Sequence, residues 1–190
     1  QKRERREGTF PLKAMADHPS YTLVGEVYGQ WTATVAQKEV AGILPSLPQI
    51  DAVLTQGGDG FGAMQAFKAA GLTPPIIIMG NRQDELQAWK DETANGYETF
   101  SLGATPSVSQ VAFWVAQQKL AGKEIPAFVE VPLLTVVQAD LDAWLGQVEQ
   151  GGVLNADYPQ DLIAAIIDTT DMAERPDVEL FGPLLQVVRV

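Results

Sequence analysis

Ile50-Asp51-Ala52-Val53-Leu54-Thr55-Gln56-Gly57-Gly58-Asp59-Gly60-Phe61-Gly62-Ala63 decides the reading of this chain. Ile50 to Thr55 has the apolar, β-branched character of a buried strand, and the glycines after it require a tight turn. From about Phe61 to Ala70 the pattern becomes helical, with Gly71 placed to close the helix in a left-handed conformation. Strand, glycine turn and helix in that order form the repeating unit of a doubly wound α/β sheet.

The same unit recurs on either side. Tyr21 to Val27 predicts a strand, followed by a helix that Thr32 can cap and that runs to Leu44, burying Val35, Val40 and Ile43. Pro75 to Met79 predicts the next strand, and Asp84 to Thr93 a helix that stops near Asn95-Gly96. Glu98 to Leu102 continues the alternation. Pro106-Ser107 then opens a helix carrying Val108, Val111, Ala112 and Val115, ended by Gly122, and Phe128 to Val131 is expected as another strand. Such alternation implies a mostly parallel sheet with helices on both faces. After Pro132 the rhythm changes. Leu133 to Val137 is extended, Asp140 to Leu145 a short helix, Asp157 to Ile167 another helix, and Leu184 to Val190 strand-like. The expected division is residues 1–130, 131–164 and 165–190.

With 190 residues the chain is long enough for one full α/β domain, or one domain plus an appendage, and its 46% apolar and 19% charged residues are ordinary for a globular protein. Its apolar runs, such as Ile76 to Met79 and Leu162 to Ile167, fall far short of the roughly 20 residues that span a bilayer. The net charge is −11, yet five of the 13 cations (Lys2, Arg3, Arg5, Arg6, Lys13) lie in the first 13 residues. The remaining body is therefore strongly acidic and repels phosphate backbones, which argues against a nucleic-acid partner. No apolar stretch follows the basic start, as a secretory leader would need. Cysteine is absent, which excludes disulfides, thiolate metal sites and cysteine nucleophiles. The one histidine, His18, sits in Asp17-His18-Pro19 and reads as a turn residue; no metal site is expected from it.

In an open α/β sheet, ligands bind at the carboxyl ends of the strands. Gly58-x-Gly60-x-x-Ala63 satisfies a relaxed dinucleotide fingerprint in the right context. Two features oppose a pyrophosphate there. Asp59 puts a carboxylate in the turn, and the next strand ends at Gly80-Asn81 without an acidic residue for the ribose. A neutral polyol fits better. Asp59 and Asn81 can exchange hydrogen bonds with hydroxyls, and Tyr28 and Trp31 end the first strand at the same edge, where an indole offers a flat apolar face to a sugar ring. Arg5 can add a charge-assisted bond.

Several stretches, in order, resemble one family. These are Arg5-Arg6-Glu7-Gly8-Thr9-Phe10, Asp17-His18-Pro19, Gly25-Glu26-Val27-Tyr28-Gly29-Gln30-Trp31, Leu47 to Val53 leading into Gln56-Gly57-Gly58-Asp59-Gly60, Gln65 to Gly71, and Gly122-Lys123-Glu124-Ile125-Pro126. Residues 3 to about 165 resemble the C-terminal lobe and hinge return of a periplasmic sugar-binding protein of the ribose-binding type, the solute receptor of an ABC importer. The resemblance implies one lobe of a two-lobed fold and no catalysis. It also implies a monosaccharide or polyol ligand, a permease as partner and a periplasmic location. Arg5, Trp31, Asp59 and Asn81 are the ligand-binding residues it implies, with no cofactor. The chain departs from the pattern in three places. The loop at Asp59 is one residue shorter, Asn81 replaces an aspartate, and the hinge-side glutamine falls at Gly103 or Ala104. A ligand other than ribose is expected.

The N-terminal lobe of that family would precede Gln1, so the chain is expected to be a truncated receptor. Its return segment would carry an apolar face (Leu133, Val136, Val137, Trp144) that either folds back or stays exposed. From about Ala165 the sequence resembles a second family, the succinylglutamate-semialdehyde-type aldehyde dehydrogenases. Glu179-Leu180-Phe181-Gly182-Pro183 is similar to their cofactor segment, which would place Glu179 and Phe181 beside a nicotinamide ribose and ring. The dehydrogenase catalytic cysteine is absent, and the tail is expected to be a chimeric join, a strand packed wherever it finds room. Two alternatives stand beside sugar reception: a fragment of a nicotinamide-dependent aldehyde dehydrogenase, and the ligand-binding core of a sugar-responsive transcriptional regulator.

Overall fold

In a computed structural model, described for residues 18–170 and for the backbone of residues 184–189, the strand–helix alternation leads the chain. Strand β1 (Thr22–Tyr28) passes to helix α1 (Ala33–Ile43), β2 (Ala52–Leu54) to α2 (Gly60–Ala69), β3 (Ile76–Ile77) to α3 (Gln83–Thr93) and β4 (Ser101–Gly103) to α4 (Val108–Leu120). Then come β5 (Leu134–Val136), the short α5 (Leu141–Leu145), α6 (Gln160–Thr169) and β6 (Leu184–Arg189). The helix ends follow their glycines. After α2 the N–H of Gly71 bonds Lys68 O and that of Leu72 bonds Phe67 O, a closing pattern that needs the φ of 71° found at Gly71. Gly96 ends α3 in the same way.

The fold is α/β. β2 and β3 pair in parallel (Ala52 with Ile76, Val53 with Ile77), and a parallel bridge from Met79 to Ser101 carries the pairing on to β4. The tail does not pack at random. β6 lies between β1 and β2 and is antiparallel to both, giving the order β1-β6-β2-β3. Val187 faces Gly25 on one side and Val53 on the other. Helix α6 runs through residue 165, where the resemblance changes family, without a break.

Two local expectations are corrected, and a third that stood open is decided. Phe128 to Val131 is not a strand: it lies between Pro126 and Pro132, which lack ladder donors, and Val129 and Val131 pack against α6 instead. Helix α4 buries no residue fully. Val111, Trp114 and Val115 are half-buried, while Val108, Ala112 and Phe113 are exposed. The return segment folds back: β5 pairs with β4, and Val136, Leu141 and Leu154 enter the main core, with Leu133 and Val137 left outside.

Two apolar clusters result among the described residues. The larger gathers Val40, Val53, Met64, Phe67, Ile77, Met79, Leu86 and Trp89 around the sheet. The smaller is built on Tyr158, Ile163 and Ile167, against which α4 packs.

Candidate functional site

Three loops leave the carboxyl ends of β1, β2 and β3 and meet at one edge. The first, Gly29-Gln30-Trp31-Thr32, turns through two consecutive left-handed residues, Gln30 (φ 58°) and Trp31 (φ 53°). Side chains rarely adopt this conformation, and such strain collects where a loop must present a residue in a set direction. The loop leaves Trp31 52% exposed. It crosses the glycine turn so closely that a Cβ on Gly58 would sit 2.7 Å from Trp31 O.

The second loop, Gln56 to Asp59, is held from the third element. Glu85, fully buried on α3, accepts hydrogen bonds from the N–H of Gly58 on Oε2 (3.0 Å) and from the N–H of Gly60 on Oε1 (2.9 Å). Its Oε1 also accepts from the N–H of Gly80 at 3.1 Å, in the third loop. Burial pushes the Glu85 carboxyl above its usual range, and the three donors oppose that rise. The phosphate-cradling donors of a dinucleotide turn are therefore already engaged with an internal anion. The fingerprint fails for a reason in α3 rather than at Asp59.

Asp59 stands at the start of α2 but does not cap it with its side chain. The carboxylate turns away under the first loop, fully enclosed, with no hydrogen-bond partner on either oxygen. A Cβ on Gly29 would sit 2.5 Å from its Oδ1, so that close approach needs glycine. Burial, reinforced by the Glu85 carboxylate, raises its pKa to about 6. The backbone N–H groups of Trp31 and Thr32 offset part of that rise, but neither closes a hydrogen bond to the carboxylate, and that of Thr32 donates to Gly29 O at 3.2 Å.

Asn81, in the third loop, is nearly buried and tied to the scaffold. Its Nδ2 donates to Gly103 O (3.0 Å) and Leu134 O (3.4 Å), and its Oδ1 accepts from the Ser101 hydroxyl. The backbone joins in, with Leu154 N donating to Asn81 O at 2.8 Å. Gly103, where the family's glutamine was expected to fall, uses its carbonyl to hold Asn81. Next to it, Arg82 is partly exposed and bonds Asp84 (3.1 Å). Its side chain would lie 3.6 Å from a Cβ on Gly58.

Of the four residues expected to contact a ligand, Trp31, Asp59 and Asn81 stand on adjacent loops at one edge. Only Trp31 is open to solvent; Asp59 and Asn81 lie beneath. Arg5 falls outside the described residues, as do Glu179 and Phe181 of the tail. Tyr28 is exposed at the same edge. Sequence reasoning missed Glu85. Its signal was a lone carboxylate on the helix face that Leu86 and Trp89 bury. No cluster of metal-ligating side chains occurs among the described residues. None of the described helices is long and apolar enough to cross a membrane.

The chain is similar to an ABC transporter solute-binding protein from Thermobispora bispora DSM 43833, with 27% identity and a TM-score of 0.62 over 74% of this chain and 43% of that one. A solved chain from Mycobacterium smegmatis matches with 28% identity and a TM-score of 0.52, over 63% of this chain and 40% of that one. This chain thus spans less than half the length of either. A separate match of 29 residues, 79% identical, is to the N-succinylglutamate 5-semialdehyde dehydrogenase of Sphingopyxis alaskensis and covers 15% of this chain and 6% of that enzyme. The family profile of the periplasmic binding protein domain covers residues 2–124, the stretch that includes all three loops, and the chain belongs to that family.

Proposed function

We propose that this lobe binds a monosaccharide or similar neutral polyol at the carboxyl edge of its sheet. It acts as the solute-binding component of an ABC importer and carries out no catalysis. The observation that carries this reading is the occupied glycine turn: its N–H groups are engaged with Glu85, so the edge offers no cradle to an anion, and the loop that crosses it carries an exposed indole. Trp31 stacks on the C–H face of the sugar. The Asp59 oxygens, without partners, accept from a hydroxyl once the β1–α1 loop lifts. Asn81 keeps one acceptor position beside them, and Arg5 donates from the N-terminal side. Family membership supports a location outside the cytoplasm and delivery to a permease.

The test is calorimetry on the full chain against a panel of aldoses, ketoses and alditols, with NAD as a separate arm. Binding of one sugar, weakened about tenfold or more by Trp31→Ala, is the expected result. Binding of NAD without any sugar would favour the dehydrogenase alternative and end the polyol reading.

A further inference from the structure

We propose that Glu85 is the positioning residue of the ligand edge: one buried carboxylate that sets the β2–α2 and β3–α3 loops at a fixed distance, and through them the groups that face a sugar. This rests on the polyol reading of the same edge and adds to it the residue that holds the edge together.

The argument begins with donors. Gly58, Gly60 and Gly80 present buried N–H groups that no carbonyl satisfies, and a buried donor left unpaired is costly. One carboxylate takes all three: Oε1 bridges Gly60 and Gly80, and Oε2 takes Gly58. The two loops come from different crossover units, so nothing in either one alone sets their separation. The loops leave neighbouring, paired strands and pack closely: a Cβ on Gly80 would lie 2.7 Å from Gly57 Cα, so the turn there has little room to shift. Glu85 is itself rigidly placed. Its neighbours Leu86 and Trp89 are fully buried, Trp89 Nε1 donates to Gln138 (2.9 Å), and α3 begins with Gln83 N bonded to Gly152 O at 3.0 Å. Glu85 also lies near enough to Asp59 for its charge to help raise that carboxyl's pKa.

The geometry makes the isosteric substitution informative. In Glu85→Gln one oxygen can remain between Gly60 and Gly80, but the amide NH2 then faces the N–H of Gly58, donor against donor. The Gln56–Asp59 loop should be released while the Gly80 turn stays in place. Glu85→Asp keeps the charge and shortens the arm by one methylene, so it should loosen both loops.

The experiment measures three things on full-length wild type, Glu85→Gln and Glu85→Asp: affinity for the best sugar of the panel, thermal midpoint, and amide exchange at Gly58, Gly60 and Gly80 by NMR. The expected result for Glu85→Gln is a loss of affinity of about tenfold. Gly58 exchange should accelerate and Gly80 should stay protected, a local pattern that a general loss of stability would not produce. Unchanged Gly58 exchange, or unchanged affinity with Gly58 released, overturns the positioning role. If Glu85→Gln does not fold, Glu85→Asp decides: faster exchange at Gly58, Gly60 and Gly80 together with lost affinity supports the role, and unchanged exchange at all three or unchanged affinity overturns it. Wild type that binds no sugar ends the polyol reading, and the claim that Glu85 joins the loops is then decided by the Gly58 exchange alone.

Discussion

At the scale of single residues, Asp59 is the least comfortable group in the described structure. Its carboxylate is enclosed without a partner and beside a second buried acid, so its pKa rises to about 6 from 3.8. A folded-state pKa above the unfolded value means that the stability it confers is fully present below about pH 4 and is lost as pH rises through 6. At pH 8 the ionised form costs up to about 3 kcal/mol. Asp59→Asn should therefore raise the thermal midpoint at pH 8 and leave it nearly unchanged at pH 4, as calorimetric scans at the two pH values would read. The raised Glu85 pKa acts in the same direction, so wild type should lose stability as pH rises from about 4 through 6.

At the scale of elements, the placement of β6 has the largest consequence. It has a strand on both sides, and Val187 is paired to Gly25 and Val53. Proline there removes a ladder donor in an interior strand, so Val187→Pro should destabilise the chain by about 3 kcal/mol or more, read by urea unfolding. That Leu184 to Arg189 is extended was legible from its own residues. Its slot was not, because β1 and β2 are separated in the sheet by a strand from far along the chain, and nothing local to either one signals the gap. The other misreadings have the same origin. Phe128 to Val131 has strand composition, but its flanking prolines and the face of α6 decided otherwise. The strands, helix ends and glycine turn that build the carboxyl edge of the sheet were legible because each depends on a few adjacent residues. Glu85 was not, because its role depends on donors 27, 25 and 5 positions away.

At the scale of the whole molecule, the two apolar clusters are unequal. The main one is built from buried side chains of strands and helices alike; the second has three fully buried residues and leans on the half-buried face of α4. On the outer side of α4, Phe113 is 61% and Leu120 89% exposed. A small cluster with a thin helix over it opens at lower free energy than the core it adjoins. Hydrogen exchange should show amides of α4 and α6 losing protection before those of α2 and α3. Equal protection in all four helices would mean that the clusters unfold as one.

A glycine turn that carries its own counter-anion has a further consequence for selection among nutrients. Phosphorylated sugars and free inorganic phosphate compete for most turns of this shape, because the backbone donors there seek negative charge. Here Glu85 answers those donors from within, and the acidic body of the chain adds long-range repulsion. On the proposed polyol reading, such an edge would disfavour phosphate esters relative to the parent alcohol, so a receptor built on it would sample unmodified sugars even in a phosphate-rich medium.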